Sequence, residues 1–174
     1  MLIDPALQEH YLAKDWVVVD GVFLREEMEK IIELSMSVSQ DLARAGETSD
    51  FDATEDGSEA SPRKTNLPFL REPGFRPFVL DPRLTEIVQA FLGKPPLLFR
   101  NHLFMRRPRI GSEKPFHQDN FYFRLEPADH VITAWIALDD VDEGNACLRY
   151  IDGSHQGPLL PGRTSQLTSR HLPS

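Results

Sequence analysis

The stretch His130-Val-Ile-Thr-Ala-Trp-Ile-Ala-Leu138 constrains the fold of this chain more than any other. It is β-branched, aromatic and free of Lys, Arg, Asp and Glu, the composition of a strand packed inside a sheet. Residues 97–105, 116–123 and 147–151 read as further strands. The turns Glu143-Gly144-Asn145 and Asp152-Gly153-Ser154 fall between and after them. The first half of the chain is patterned differently. Asp4 before Pro5 marks a helix start, running to about Ala13, and Trp16-Val17-Val18-Val19 reads as a short buried strand closed by Asp20-Gly21. Met28, Ile31, Ile32, Leu34, Val38 and Leu42 recur at helical steps across residues 25–45, with Glu26, Glu27 and Glu29 in the first turn and Gly46 as the stop. Asp81-Pro82 opens another helix, with Leu84, Ile87, Val88, Phe91 and Leu92 as its apolar side and Gly93 at its end. Helices first and short strands afterwards predict an α+β fold, a sandwich or barrel flanked by helices.

The intervening segments are less regular. Residues 47–62 are acidic and rich in Ser, Thr and Gly, and read as a flexible loop. Their carboxylates lack the ligand spacing of an EF-hand, so they read as a solvated face. Residues 63–78, punctuated by Pro68, Pro73, Gly74 and Pro77, read as irregular chain wrapping a core. Residues 156–174 read as an irregular tail. With 174 residues the chain has the length of one domain.

Composition narrows the partners. A net charge of −8 argues against nucleic acid and anionic membranes, and no 18-residue apolar run or signal-peptide pattern is present. The lone Cys147, between Ala146 and Leu148, reads as a small buried hydrophobe and fits a reducing cytoplasm.

Chemistry enters at Pro115-Phe116-His117-Gln118-Asp119. On an extended segment His117 and Asp119 project to the same face, because side chains alternate with period 2. Imidazole nitrogen and carboxylate oxygen are the two ligand types of the 2-His-1-carboxylate site of non-haem Fe(II) oxygenases. Phe116, Phe121, Tyr122 and Phe123 could wall such a site against water, or could equally be sheet core.

Four blocks extend this reading: Phe116-His-Gln-Asp119, Ala134-Trp-Ile-Ala-Leu-Asp-Asp140, Glu143-Gly-Asn-Ala-Cys-Leu148 and Ile151-Asp-Gly-Ser-His155. In order and spacing they resemble the phytanoyl-CoA dioxygenase family, as does the opening strand at Trp16 followed by an acidic helix. The likeness runs from near the start to about Pro158. It implies a double-stranded β-helix (a jelly roll, cupin-like), Fe(II), O₂ and 2-oxoglutarate as co-substrate, and oxidation of a small organic molecule or acyl thioester. It makes His117 and Asp119 two iron ligands and sets Lys64, His102 and Trp135 at 2-oxoglutarate-contacting positions, Lys64 across a variable loop.

The same resemblance places the third ligand, a second His, on a strand well beyond the Gly-Ser-His block, with an Arg for 2-oxoglutarate some ten residues later. No strand pattern surrounds His171, and His155 follows a turn and reads as structural, as does His130 in its apolar run. The expectation is therefore a chain ending before the late strands, with a sheet edge open to self-association. Two readings stand: an Fe(II)/2-oxoglutarate-dependent dioxygenase, or a non-catalytic relative serving as a binding module or subunit. A metal-binding cupin without 2-oxoglutarate is a third. Substrate choice would lie in residues 47–62 and 106–114.

Overall fold

The computed structural model describes residues 3–47, 51–53, 60–106, 115–145 and 147–159. Helix α1 (Pro5–Lys14) begins where Asp4 Oδ1 accepts the Ala6 N–H at 2.9 Å, and it ends at Asp15, whose left-handed backbone (φ 69°) returns its N–H to Tyr11 O. Helix α2 (Arg25–Arg44) opens with Glu27, whose carboxylate accepts the Leu24 backbone N–H at 2.8 Å. Two ribbons follow. β1 (Phe51–Ala53) pairs antiparallel with β2 (Ala60–Pro62), and β3 (Lys64–Asn66) pairs antiparallel with β4 (His102–Phe104). Between β3 and β4 lie the short helices α3 (Pro68–Arg71) and α4 (Arg76–Val79), then α5 (Pro82–Leu92). Asp81 caps α5 through the Arg83 N–H, and Gly93 closes it at φ 76°. Helix α6 (Asp119–Phe123) is the last α-helix among the described residues.

One face of α2 holds the core. Ile31 and Val38, buried two turns apart on one face, pack with Phe75; Leu34, Leu42, Phe69, Phe78 and Leu138 surround them. The two buried serines of α2 are satisfied within the helix, Ser35 Oγ donating to Ile31 O at 2.6 Å and Ser39 Oγ to Ser35 O at 2.8 Å. Ser39 Oγ also reaches Met105 Sδ at 3.3 Å, which joins α2 to the end of β4. The N-termini of α2 and α5 are joined by Arg83, which donates to Glu27 at 2.7 and 3.0 Å and to Asp81 at 2.8 Å, with its guanidinium 4.8 Å from the Phe23 ring.

Several expectations change. The α+β class holds in the coarse sense of helices with small antiparallel sheets, but the structure displays two separate two-stranded ribbons and no jelly roll among the described residues. Residues 16–19 form no strand. Their β-branched run finds no ladder partner, and Trp16 is held by its side chain. Of residues 97–105 only His102–Phe104 pairs. Residues 119–123, expected in a strand, turn helical: Asp119 sits in the first turn, where the helix dipole favours an acid, and Asn120 closes the far end by bonding both the N–H and the carbonyl of Leu125. Residues 131–138 and 147–151 pair with no strand either. Conversely, the expected loop at 47–62 holds β1 and β2, and the irregular stretch at 63–78 holds β3, α3 and α4. The expectations for 107–114 and 160–174 lie outside the described residues.

Candidate metal centre

His117 lies in extended chain immediately before α6, and Asp119 is the first residue of that helix. Residues 115–118 belong to no strand, so no sheet ladder holds the pair in place. Gln118 between them is extended (φ −100°, ψ 126°), and the helical turn starts after it, the Phe121 N–H bonding back to Gln118 O at 3.0 Å. The pair still converges: His117 Nε2 stands 3.4 Å from Asp119 Oδ1.

Two hydrogen bonds orient it. His117 Nδ1 lies 2.9 Å from Pro115 O. A carbonyl can only accept, so Nδ1 carries the proton and the lone pair of the neutral ring sits on Nε2, the nitrogen beside Asp119. On the other side, Thr133 Oγ1 donates to Asp119 Oδ2 at 2.8 Å. That leaves Oδ1 as the carboxylate oxygen turned toward the imidazole. A histidine donating its far N–H to a backbone carbonyl, beside a carboxylate with one oxygen already bonded, is the support that metal-ligating residues carry. Two donors at right angles on one ion, each about 2.1 Å away, lie ~3 Å apart. The 3.4 Å separation is close to that value. The donor set thus fits a divalent transition metal at two corners. Among the described residues no third His, Cys, Asp or Glu joins them in a group able to hold an ion.

Aromatic rings flank the pair. Tyr122 meets the His117 ring edge-on at 5.5 Å and Phe121 at 5.2 Å. Phe123 meets Phe99 at 6.0 Å, and the Arg100 guanidinium lies 5.9 Å from the Phe123 ring, so the chain leading into β4 touches α6. Burial, and then the charges of Asp119 and Asp15, push the Tyr150 phenol above its usual range, which keeps it a neutral hydroxyl in the field of the site carboxylate.

The three remaining site residues separate into two places. In the β3–β4 ladder Lys64 stands opposite Phe104 and Asn66 opposite His102. Side chains of facing residues share a face, so Lys64 and His102 lie on the same side of the ribbon. Thr65 and Leu103 occupy the other side and are buried. Lys64 Nζ stands 5.7 Å from the Phe104 ring, and the His102 ring lies tilted against it at 6.0 Å. Trp135 is on neither element. It lies 44 % exposed in the chain between Thr133 and the core residue Leu138.

The Gly-Ser-His block does different work. Asp152 accepts from Trp16 Nε1 at 2.9 Å and from the Lys14 ammonium, and the Gly153 N–H reaches Lys14 O at 3.3 Å. These bonds hold Asp152 below the usual carboxylate range, Lys14 contributing most. His155 is exposed in a 3₁₀ turn. Sequence reading missed Thr133 and the Pro115 carbonyl. The hydroxyl in the 130–138 run was a visible signal, but it was absorbed into the strand pattern.

Comparison with known proteins identifies the family. The family model "Phytanoyl-CoA dioxygenase (PhyH)" matches residues 16–170. The peroxisomal phytanoyl-CoA dioxygenase of Bos taurus is 34 % identical over 83 residues, covering 46 % of this chain and 25 % of that protein. A Caenorhabditis elegans protein named "Probable phytanoyl-CoA dioxygenase" is 29 % identical over 133 residues, 73 % of this chain and 40 % of that protein. The mouse phytanoyl-CoA dioxygenase domain-containing protein 1 is 31 % identical over 84 residues, 48 % of this chain and 29 % of that protein. The chain thus spans a quarter to two-fifths of the length of these relatives. No solved structure matches it. With the family model covering most of its length, the chain belongs to the phytanoyl-CoA dioxygenase (PhyH) family.

Proposed function

We propose that this chain carries part of the catalytic centre of an Fe(II)/2-oxoglutarate-dependent dioxygenase that oxidises a small organic molecule or acyl thioester. One observation carries the reading: His117 is locked through Nδ1 to Pro115 O, so that Nε2 faces Asp119 Oδ1 at 3.4 Å. Fe(II) held between those two atoms would supply activation of O₂ coupled to oxidation of 2-oxoglutarate.

The chain's own groups have separable tasks. Pro115 O keeps His117 in the tautomer that offers Nε2, and the ionised Asp119 lowers the charge of the bound cation. In the family pattern Lys64 and His102 meet 2-oxoglutarate. That the two lie on one side of the β3–β4 ribbon supports this reading. Trp135 would contact the co-substrate from the segment that also carries Thr133. Tyr122 packs edge-on against the imidazole with Phe121 beside it, which supports the ring's orientation while the pair stays open to solvent.

The test is Fe(II)-dependent conversion of 2-oxoglutarate to succinate and CO₂ by the purified chain, beside His117→Ala and Asp119→Ala. Turnover in the wild type that both substitutions abolish supports the reading. Equal rates in all three proteins sink it. Absent turnover with no metal bound leaves the non-catalytic relative, a binding module or subunit, as the better account.

A further inference from the structure

Asp119 presents two oxygens in different surroundings. Oδ1 faces the imidazole at 3.4 Å, and Oδ2 accepts the Thr133 hydroxyl at 2.8 Å. Thr133 lies 14 residues along the chain, in a segment whose start is extended (Val131 φ −121°, ψ 127°) and whose far end is fixed by Leu138 against the Ile31–Val38–Phe75 core. The hydroxyl therefore arrives from a separately anchored piece of chain. A threonine hydroxyl has one proton, and here it is spent on Oδ2.

A free carboxylate can bind an ion through either oxygen or both, and it turns readily about its terminal torsion. A donor fixed on one oxygen removes that freedom. The geometry points to Thr133 as the positioning residue that makes Asp119 a one-oxygen ligand through Oδ1. Trp135, two residues on, makes the same segment the link between the metal pair and the co-substrate position. This inference rests on the metal-site reading above, and its failure is distinguishable from failure of that reading.

The probe is Co(II), titrated anaerobically into wild type, Thr133→Val, Thr133→Ser and Asp119→Asn, reading affinity and the visible absorption of the bound ion. Loss of a supporting hydrogen bond typically weakens metal binding about 10–100-fold. Thr133→Val keeps the branched shape without the hydroxyl, so it should lose affinity in that range and alter the Co(II) spectrum. Thr133→Ser restores the donor and should bind within about threefold of wild type, since only a methyl group is lost. Thr133→Val that binds as wild type does, with an unchanged spectrum, overturns the inference while leaving the metal site standing. Wild type that binds no better than Asp119→Asn overturns both. If Thr133→Val melts well below wild type, Thr133→Ala replaces it, and the same contrast with Thr133→Ser decides.

Discussion

Phe75→Ala is the sharpest probe of how this chain holds its helices together. Phe75 is 3 % exposed, and its neighbours Ile31 and Val38, two turns apart on one face of α2, are 6 % and 8 % exposed. Removing a fully buried Phe ring costs the transfer free energy of its atoms plus a cavity term, together about 3–5 kcal/mol. Against a total stability on the order of 5–15 kcal/mol this is a large loss. For a chain of this size each kcal/mol lowers the melting temperature by about 2–4 °C, so the expected drop is ~10 °C. Leu12→Ala is the control, because Leu12 is 73 % exposed on α1 and truncation there should cost roughly 0.5 kcal/mol or less. The assay is thermal and urea unfolding followed by circular dichroism, with an unchanged urea slope confirming comparable unfolded states. A Phe75→Ala melt no lower than that of Leu12→Ala would refute the proposed core.

Other consequences follow from single groups. Thr65 is 2 % exposed and its hydroxyl has no partner among the described residues, so Thr65→Val should leave stability unchanged or raise it, by up to about 1–3 kcal/mol; a fall of that size would show an unseen bond. Hydrogen bonds from Arg83 lower the Glu27 carboxyl from 4.5 to about 2 and also depress Asp81. Because the folded values lie below the unfolded ones, this stabilisation is present above about pH 4.5 and is lost as pH falls toward 2. Melts taken across that window should therefore converge for wild type and Arg83→Met at the acid end, and parallel curves would contradict the linkage. Asp152→Ala releases both Lys14 and Trp16, so limited proteolysis in residues 3–15 should accelerate and indole emission should shift to the red. Lys14→Met, which leaves the Trp16 bond, should change emission less.

The helices were legible in the sequence because their signals are local. Asp4-Pro5 and Asp81-Pro82 start α1 and α5 as expected, and the spacing from Met28 to Leu42 traces α2 to within one residue of its observed end. The strands were not legible, because a ladder needs a partner distant in sequence. The run at 130–138 has strand composition yet joins no ladder among the described residues, whereas three undistinguished residues, Lys64–Asn66, find His102–Phe104. The site shows the same division. His117 and Asp119 were legible from residue type and spacing, and Gln118 between them is extended as that spacing needs; the helical turn that starts at Asp119 in place of a continuing strand was not legible. The bond from Thr133 was out of reach, since it spans 14 residues and depends on where Leu138 docks.

The central claim is that His117 and Asp119 share one metal ion. Anaerobic calorimetric titration of Fe(II) into wild type, His117→Ala and Asp119→Ala tests it most directly. The account predicts one saturable site in the wild type and affinity at least tenfold weaker in each variant, with unchanged melting temperatures for the metal-free proteins. Equal Fe(II) affinity in all three proteins, or a site that survives removal of both side chains, would contradict it.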